Sequence, residues 1–153
     1  HCRYKFDMTV TDAQPQGCTN FQLRQLLRSV SRLYDAELAL AGLKASQFSL
    51  LSHVLTLGPI APSALAERMG MDASTLTRNL RPLMDKGWVL QGPGADARSR
   101  AITITPEGTA KHAEARRHWK RAQLALNARL GADQVARLHQ LVDSVQALLH
   151  EPA

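Results

Sequence analysis

Acidic residues are in short supply: thirteen Asp and Glu stand against nineteen Lys and Arg in 153 residues, leaving a formal charge of +6 with His neutral. A deficit of that sign argues against acidic partners and favours polyanions, without choosing between nucleic acid and a membrane surface. Cysteine is scarcer still, at two residues. Cys2 lies in a segment, His1 to Asp7, that shares no character with the rest of the chain, and Met8 would make a natural start, so residues 1–17 read as a disordered or expression-derived N-terminus. Cys18 alone then remains, which excludes a framework of intrachain disulfides and fits a reducing compartment. Long apolar runs are missing too. None approaches the ~20 residues of a membrane helix, and the longest candidate, Leu50 to Leu65, is broken by Ser52, His53, Gly58, Pro59 and Pro62. His1 to Val10 has neither an apolar core nor a small-residue cleavage site, so no secretory signal, no membrane partner and a cytoplasmic address are expected.

Catalytic patterns are equally thin. There is no phosphate-cradling glycine loop, no G-x-S-x-G and no close pair of carboxylates, which argues against an enzyme. His112 and His118 would fall about 240° apart on a helix, and His139 and His150 about 16 Å apart along one, so neither a metal site nor a cofactor is expected. What remains is an ordinary globular composition, 44% hydrophobic and 21% charged, enough for one compact domain or two small ones.

The apolar spacing predicts a mainly α fold with a small β-hairpin. From Thr19 to Ala41, Leu23, Leu26, Leu27, Val30, Leu33, Tyr34 and Leu38 recur at steps of three and four, one amphipathic helix ended by Gly42. Ser46 is the expected N-cap of a second helix, apolar on both faces, that stops at Gly58-Pro59. A short helix over Pro62 to Met69 is broken by Gly70. Asp72 is placed to cap the next, with Met71 and Leu76 as a hydrophobic staple and Leu76, Leu80 and Leu83 inward. Gly87 ends that helix, and Pro82 predicts a kink or a fray in its last turn. The period then switches to two, giving strands about Trp88–Gln91 and Ala101–Thr105 around a polar tip. Thr105-Pro106 opens a helix to about Leu130, closed by Gly131. Val135, Leu138, Val142, Val145 and Leu149 form a heptad seam in a last helix.

Ala66, Gly70 and Leu76 place a small residue, a turn and an apolar anchor as a helix-turn-helix requires, and the hairpin after it makes it winged. The outward face of the second helix carries Ser74, Thr75, Thr77, Arg78 and Arg81, groups suited to a major groove. From Ser74 to Arg100 five cations (Arg78, Arg81, Lys86, Arg98, Arg100) face two anions (Asp85, Asp96), a local excess of three. The two terminal helical stripes would each stay exposed on a monomer, and a two-fold interface would bury both.

The run Ser74-Thr-Leu-Thr-Arg-Asn-Leu-Arg-Pro-Leu-Met-Asp-Lys-Gly87, then Asp96-Ala-Arg98, then Ile104-Thr-Pro-Glu-Gly108 resembles the MarR family of bacterial transcriptional regulators, from about Cys18 to the end. The resemblance implies a winged helix-turn-helix with N- and C-terminal dimerisation helices. Residues 18–45 and 106–153 would form the dimerisation region and 46–105 the DNA-binding domain. It further implies a homodimer, commonly a repressor, on a pseudo-palindromic double-stranded operator, with Ser74, Thr75, Thr77, Arg78, Asn79 and Arg81 at the major groove and its flanking phosphates. Arg98 would enter the minor groove and Asp96 would hold it or the nearby backbone in place, with Arg100 also contacting DNA.

The resemblance also implies a response, common in the family, to a small aromatic or phenolic ligand in the crevice between dimer helices and winged domain, or to oxidation of a cysteine near the start of the first helix. Tyr34 and His53 are the candidate effector residues, because a polar group on a buried face can orient such a ligand; the plain alternative is two core residues with satisfied polar atoms. Cys18 is the redox candidate, its thiolate favoured by helix N-terminal amides but lacking a second cysteine to resolve a sulfenic acid. Arg116, Arg117, Lys120 and Arg121 could form a second DNA-facing patch, but a charge run on a long helix is most often a solvated face. The remaining alternative is a winged-helix module that binds protein instead of DNA, against which the Thr and Arg face argues.

Overall fold

The computed structural model describes residues 17–150. Of the expected N-terminal extension, 1–16 lie outside the described residues. Helix α1 spans Thr19–Leu38 and tightens into a 3₁₀ turn over Ala39–Ala41; α2 follows at Ala45–Leu57, α3 at Pro62–Arg68 and α4 at Ala73–Asp85. Strands β1 (Val89–Pro93) and β2 (Arg100–Ile104) pair antiparallel, Val89 opposite Ile104 and Pro93 opposite Arg100. Helices α5 (Pro106–Leu130) and α6 (Ala132–His150) complete the described residues. The strands reach two residues nearer the tip on the first side and one on the second than the alternation predicted, because the Gly94 amide donates to the Ser99 carbonyl at 2.9 Å and keeps the ladder closed. Helix α4 runs through Pro82 to Asp85.

One expected cap is corrected. The N-cap of α2 is Lys44 and Ser46 lies inside the helix, because Asp35 of α1 reaches across to accept the Ala45 amide at 2.7 Å, while the Gln47 side chain accepts the Lys44 amide at 2.9 Å. A carboxylate borrowed from another helix does the work assigned to the local hydroxyl. Thr105, by contrast, caps α5 as its sequence indicates: its Oγ1 accepts the Gly108 amide at 2.9 Å and donates to the Gly87 carbonyl at 2.7 Å.

The core sits where α2, α3, α4 and the hairpin meet the end of α1 and the first half of α5. Leu38, Leu50, Leu51, Val54, Leu65, Leu76, Leu83, Val89 and Ile102 are sealed from solvent, each burial stabilising the fold by about 1.5–3 kcal/mol. Ile60 bridges to Ile102 and lays a short third edge on the hairpin. The rest of the α1 stripe is open: Leu23, Leu26 and Leu27 are 56%, 46% and 64% exposed. Helix α6 buries no residue. Val135 and Leu138 are half covered, while Val142, Val145 and Leu149 are exposed.

Candidate nucleic-acid interface

Two short helices and a tight turn set up the site. Leu65 and Ala66 of α3 are buried, and Gly70 adopts a left-handed φ of +62° that lets the Met71 amide return to the Ala66 carbonyl at 2.9 Å. The chain then enters α4 through Asp72, whose Oδ1 accepts the Thr75 amide at 2.7 Å and the Ser74 hydroxyl at 2.8 Å. Those hydrogen bonds, the Thr75 amide first, lower the carboxyl to a pKa of about 2, so it is ionised at the helix N-terminus across the physiological range.

Leu76, Leu80 and Leu83 fix α4 from inside, which leaves its opposite face to solvent. Ser74, Thr77, Arg78 and Arg81 are exposed and line a shallow hollow together with Ala73. Thr77 donates its hydroxyl to the Ala73 carbonyl at 2.9 Å, so what it offers outward is lone pairs and a methyl group. Arg78 leans toward Thr75 Oγ1 at 3.5 Å. Thr75 and Asn79 depart from the outward face: both are half-buried, and the Asn79 amide points back to Met71 Sδ at 3.7 Å, across the turn. Among the described residues no carboxylate pairs with Arg78, Arg81, Arg98 or Arg100.

The wing presents its own cation. Asp96 Oδ1 accepts the amides of Arg98 at 3.0 Å and Ser99 at 2.8 Å, and the Ser99 hydroxyl closes back on Asp96. Asp96 therefore holds the backbone of the tip and leaves the Arg98 side chain free. The Arg98 amide, then the Ser99 amide, pulls its carboxyl below the ordinary aspartate value. Arg98 and Arg100 are exposed at the tip and at its return.

The effector candidates do not share a network. Tyr34 donates its hydroxyl to Gln123 Oε1 on α5 at 2.5 Å, and burial raises its pKa. His53 donates Nδ1–H to the Ser49 carbonyl of its own helix at 2.7 Å. A group overlooked in the sequence lies between α2 and α5: His112 stacks on Phe48 with centroids 5.1 Å apart and planes 9° from parallel, and Phe48 also meets Trp119 at 6.1 Å. Ser52 Oγ gives its only proton to the Phe48 carbonyl at 2.8 Å, so the 2.9 Å contact with His112 Nε2 is a hydrogen bond that the ring donates. The signal was the helical spacing of 48 with 52 and of 112 with 119. Cys18 occupies the N-cap of α1, exposed, with no side-chain cap bond.

A helix-turn-helix with a capped, polar second helix and an arginine-tipped hairpin defines a winged-helix protein. The chain belongs to the MarR family: the family's model matches residues 41–99. It is 31% identical over 116 residues to the multiple antibiotic resistance protein MarR of Salmonella typhimurium, covering 74% of this chain and 81% of that one. To YwoH, an uncharacterized HTH-type transcriptional regulator of Bacillus subtilis, it is 30% identical over 93 residues, 61% of this chain and 68% of the other. Among solved structures, a mutant MarR from E. coli complexed with operator DNA superposes with a TM-score of 0.76 at 27% identity, covering 82% of this chain and 91% of that one. The M. tuberculosis transcriptional regulator MosR in complex with DNA gives 0.73 at 31% identity, covering 88% and 100%. The protein is a helix-turn-helix transcriptional regulator of the MarR type, not an enzyme. Among the described residues no single helix is long and apolar enough to cross a membrane.

Proposed function

We propose that this regulator is a cytoplasmic homodimer that binds a pseudo-palindromic operator and represses transcription until a small aromatic or phenolic ligand releases it. The observation that carries the DNA reading is the exposed row Thr77, Arg78 and Arg81, whose arginines meet no carboxylate among the described residues, on a helix held from below by three buried leucines, with Arg98 presented by the wing. Thr77, Arg78 and Arg81, with Ser74, meet the major groove and its phosphates, Thr75 and Asn79 support them from the turn, Arg98 enters the minor groove and Arg100 contacts its rim. Asp96 acts through the backbone. Likeness to MarR and MosR structures solved on DNA supports this placement.

Residues 18–45 and 106–153 form the dimerisation region, and 46–105 the DNA-binding domain. The open leucines of α1 and the uncovered seam of α6 support a two-fold interface. In such a dimer the two copies of α4 read half-sites about 34 Å apart. The effector reading rests on Tyr34 and His53, polar groups half-buried on α1 and α2 whose remaining capacity, the Tyr34 oxygen lone pairs and His53 Nε2, suits a phenol or carboxylate.

The test is selection of bound duplexes from a random pool, followed by anisotropy titrations across a salt series. A steep salt slope with a selected consensus is expected; no duplex retained, or a flat slope, overturns DNA binding in favour of a protein partner.

A further inference from the structure

Three parts of the chain meet on the first turns of α5. Gly108 lies so close to the base of the wing that an added Cβ would stand 2.0 Å from the Trp88 carbonyl oxygen. One turn on, Lys111 Nζ donates to the carbonyl of Ala41, the last residue of the 3₁₀ turn after α1, at 3.2 Å, and to Glu114 Oε2 at 2.7 Å. The same ammonium lies 5.5 Å from the centroid of the Trp88 ring, which Lys86 approaches to 4.9 Å. Trp88 in turn links α4 to β1: its amide donates to the Leu83 carbonyl at 2.9 Å and its carbonyl accepts the Thr105 amide at 3.0 Å. The Lys111 side chain is 23% exposed. Its charge is thus held by a terminal carbonyl, a carboxylate and a π face in partly desolvated surroundings, where each contact is stronger than at an open surface.

The position gives that charge leverage. Helix α4 has thirteen residues, a length of about 20 Å, so a tilt of about 10° at its Trp88 end moves its far end by about 3.4 Å, one base-pair rise. We propose that Lys111 is a positioning residue for DNA binding: by tying Ala41 at the end of α1 to Trp88 at the base of the wing, it fixes the angle at which α4 is presented and so the half-site spacing the dimer accepts. The proposal rests on the DNA-binding reading. Lys111 itself touches no DNA.

The test compares Lys111→Met, which keeps the apolar stem, Lys111→Gln, which keeps a polar end without charge, and Lys111→Arg, which restores charge. Nitroxides at Arg24→Cys and Thr77→Cys, in a Cys2→Ser, Cys18→Ser background diluted into unlabelled chain, report the α1-to-α4 distance without DNA. Half-sites taken from the selected consensus and cloned at successive spacings report tolerance. Lys111→Met and Lys111→Gln are expected to broaden the distance distribution and to shrink the affinity ratio between best and neighbouring spacings about three- to tenfold, with Lys111→Arg restoring both. An unchanged distribution, or a uniform loss of affinity at every spacing, overturns the proposal. A wild type that retains no duplex overturns the DNA reading and the spacing role with it, and the distance measurement then still decides whether Lys111 holds the junction.

Discussion

His112 of α5 donates Nε2–H to Ser52 Oγ of α2 across 2.9 Å, while its ring lies flat on Phe48, so one imidazole joins the long helix α5 to the first helix of the winged core. Burial, and secondarily the Arg116 charge, lowers its pKa below the ordinary 6.5. In the unfolded chain it takes up a proton more readily. The contribution of His112 to stability is therefore full above about pH 7 and is lost as the pH falls through 6.5 toward the folded value. Thermal melts between pH 7.5 and 5 should show this decline, and His112→Phe, which retains the stack, should flatten it. A melting temperature with the same pH slope in both proteins would assign the dependence to other groups.

Asp72 sits fully at the surface, yet its carboxylate holds the first turn of α4. Asp72→Ala should lower the melting temperature by a few degrees and weaken operator binding, whereas Asp72→Asn, which still accepts a hydrogen bond, should lose little. The depressed pKa gives the cap its acid tolerance: its contribution is intact above the ordinary 3.8 and disappears as the pH drops toward about 2. Circular dichroism on acid titration, wild type against Asp72→Ala, measures the difference.

Arg98 and the α4 group should fail in different ways. Arg98→Ala is expected to weaken binding and reduce the salt slope by about one phosphate-equivalent, whereas loss of a base-reading group among Thr77, Arg78 and Arg81 costs about 1–3 kcal/mol on the selected site and relaxes its preference. Paired titrations on selected and random duplexes separate the two. Equal losses on both duplexes for all four variants would mean that none reads a base.

Sedimentation equilibrium at micromolar concentration should find a dimer. Val145 is exposed on the outer seam, so Val145→Asp should dissociate the dimer while the winged domain keeps its fold. At Leu138, half covered by the chain itself, a charge should also cost stability. A folded wild-type monomer would remove the interface.

Cys18→Ser should leave DNA affinity and ligand response unchanged, and mild peroxide should alter wild-type affinity little, because among the described residues Cys18 has no second thiol to resolve a sulfenic acid. Peroxide that releases wild type from its operator but spares Cys18→Ser would replace the ligand-sensing reading with a redox one.

Local chemistry made much of this legible. Asp72 and Thr105 cap as their positions indicate because the amides they satisfy lie three residues onward. Gly42, Gly70 and Gly87 end their segments with a positive φ for equally local reasons. Ser46 misled because the acceptor for the Ala45 amide comes from Asp35 on another helix, ten residues back. Asn79 read as a groove residue in the linear string, but its rotation about α4 turns it toward Met71. The His112, Phe48 and Trp119 stack depends on α2 packing against α5: the spacing within each helix is visible in the sequence, but nothing in it pairs residues more than sixty positions apart.

The carboxylate that Asp35 lends to α2 has a consequence for anyone who would excise the winged segment from the helices around it. A fragment cut at 46–105 would lose that acceptor together with Leu38, Ala41, Leu43 and Ala115, all buried in the same core as Leu51 and Leu83. The boundary at 46–105 does not separate two folding units. The end of α1 and the first half of α5 share one hydrophobic interior with α4, so a displacement of either helix should be felt where Leu76 and Leu83 anchor α4.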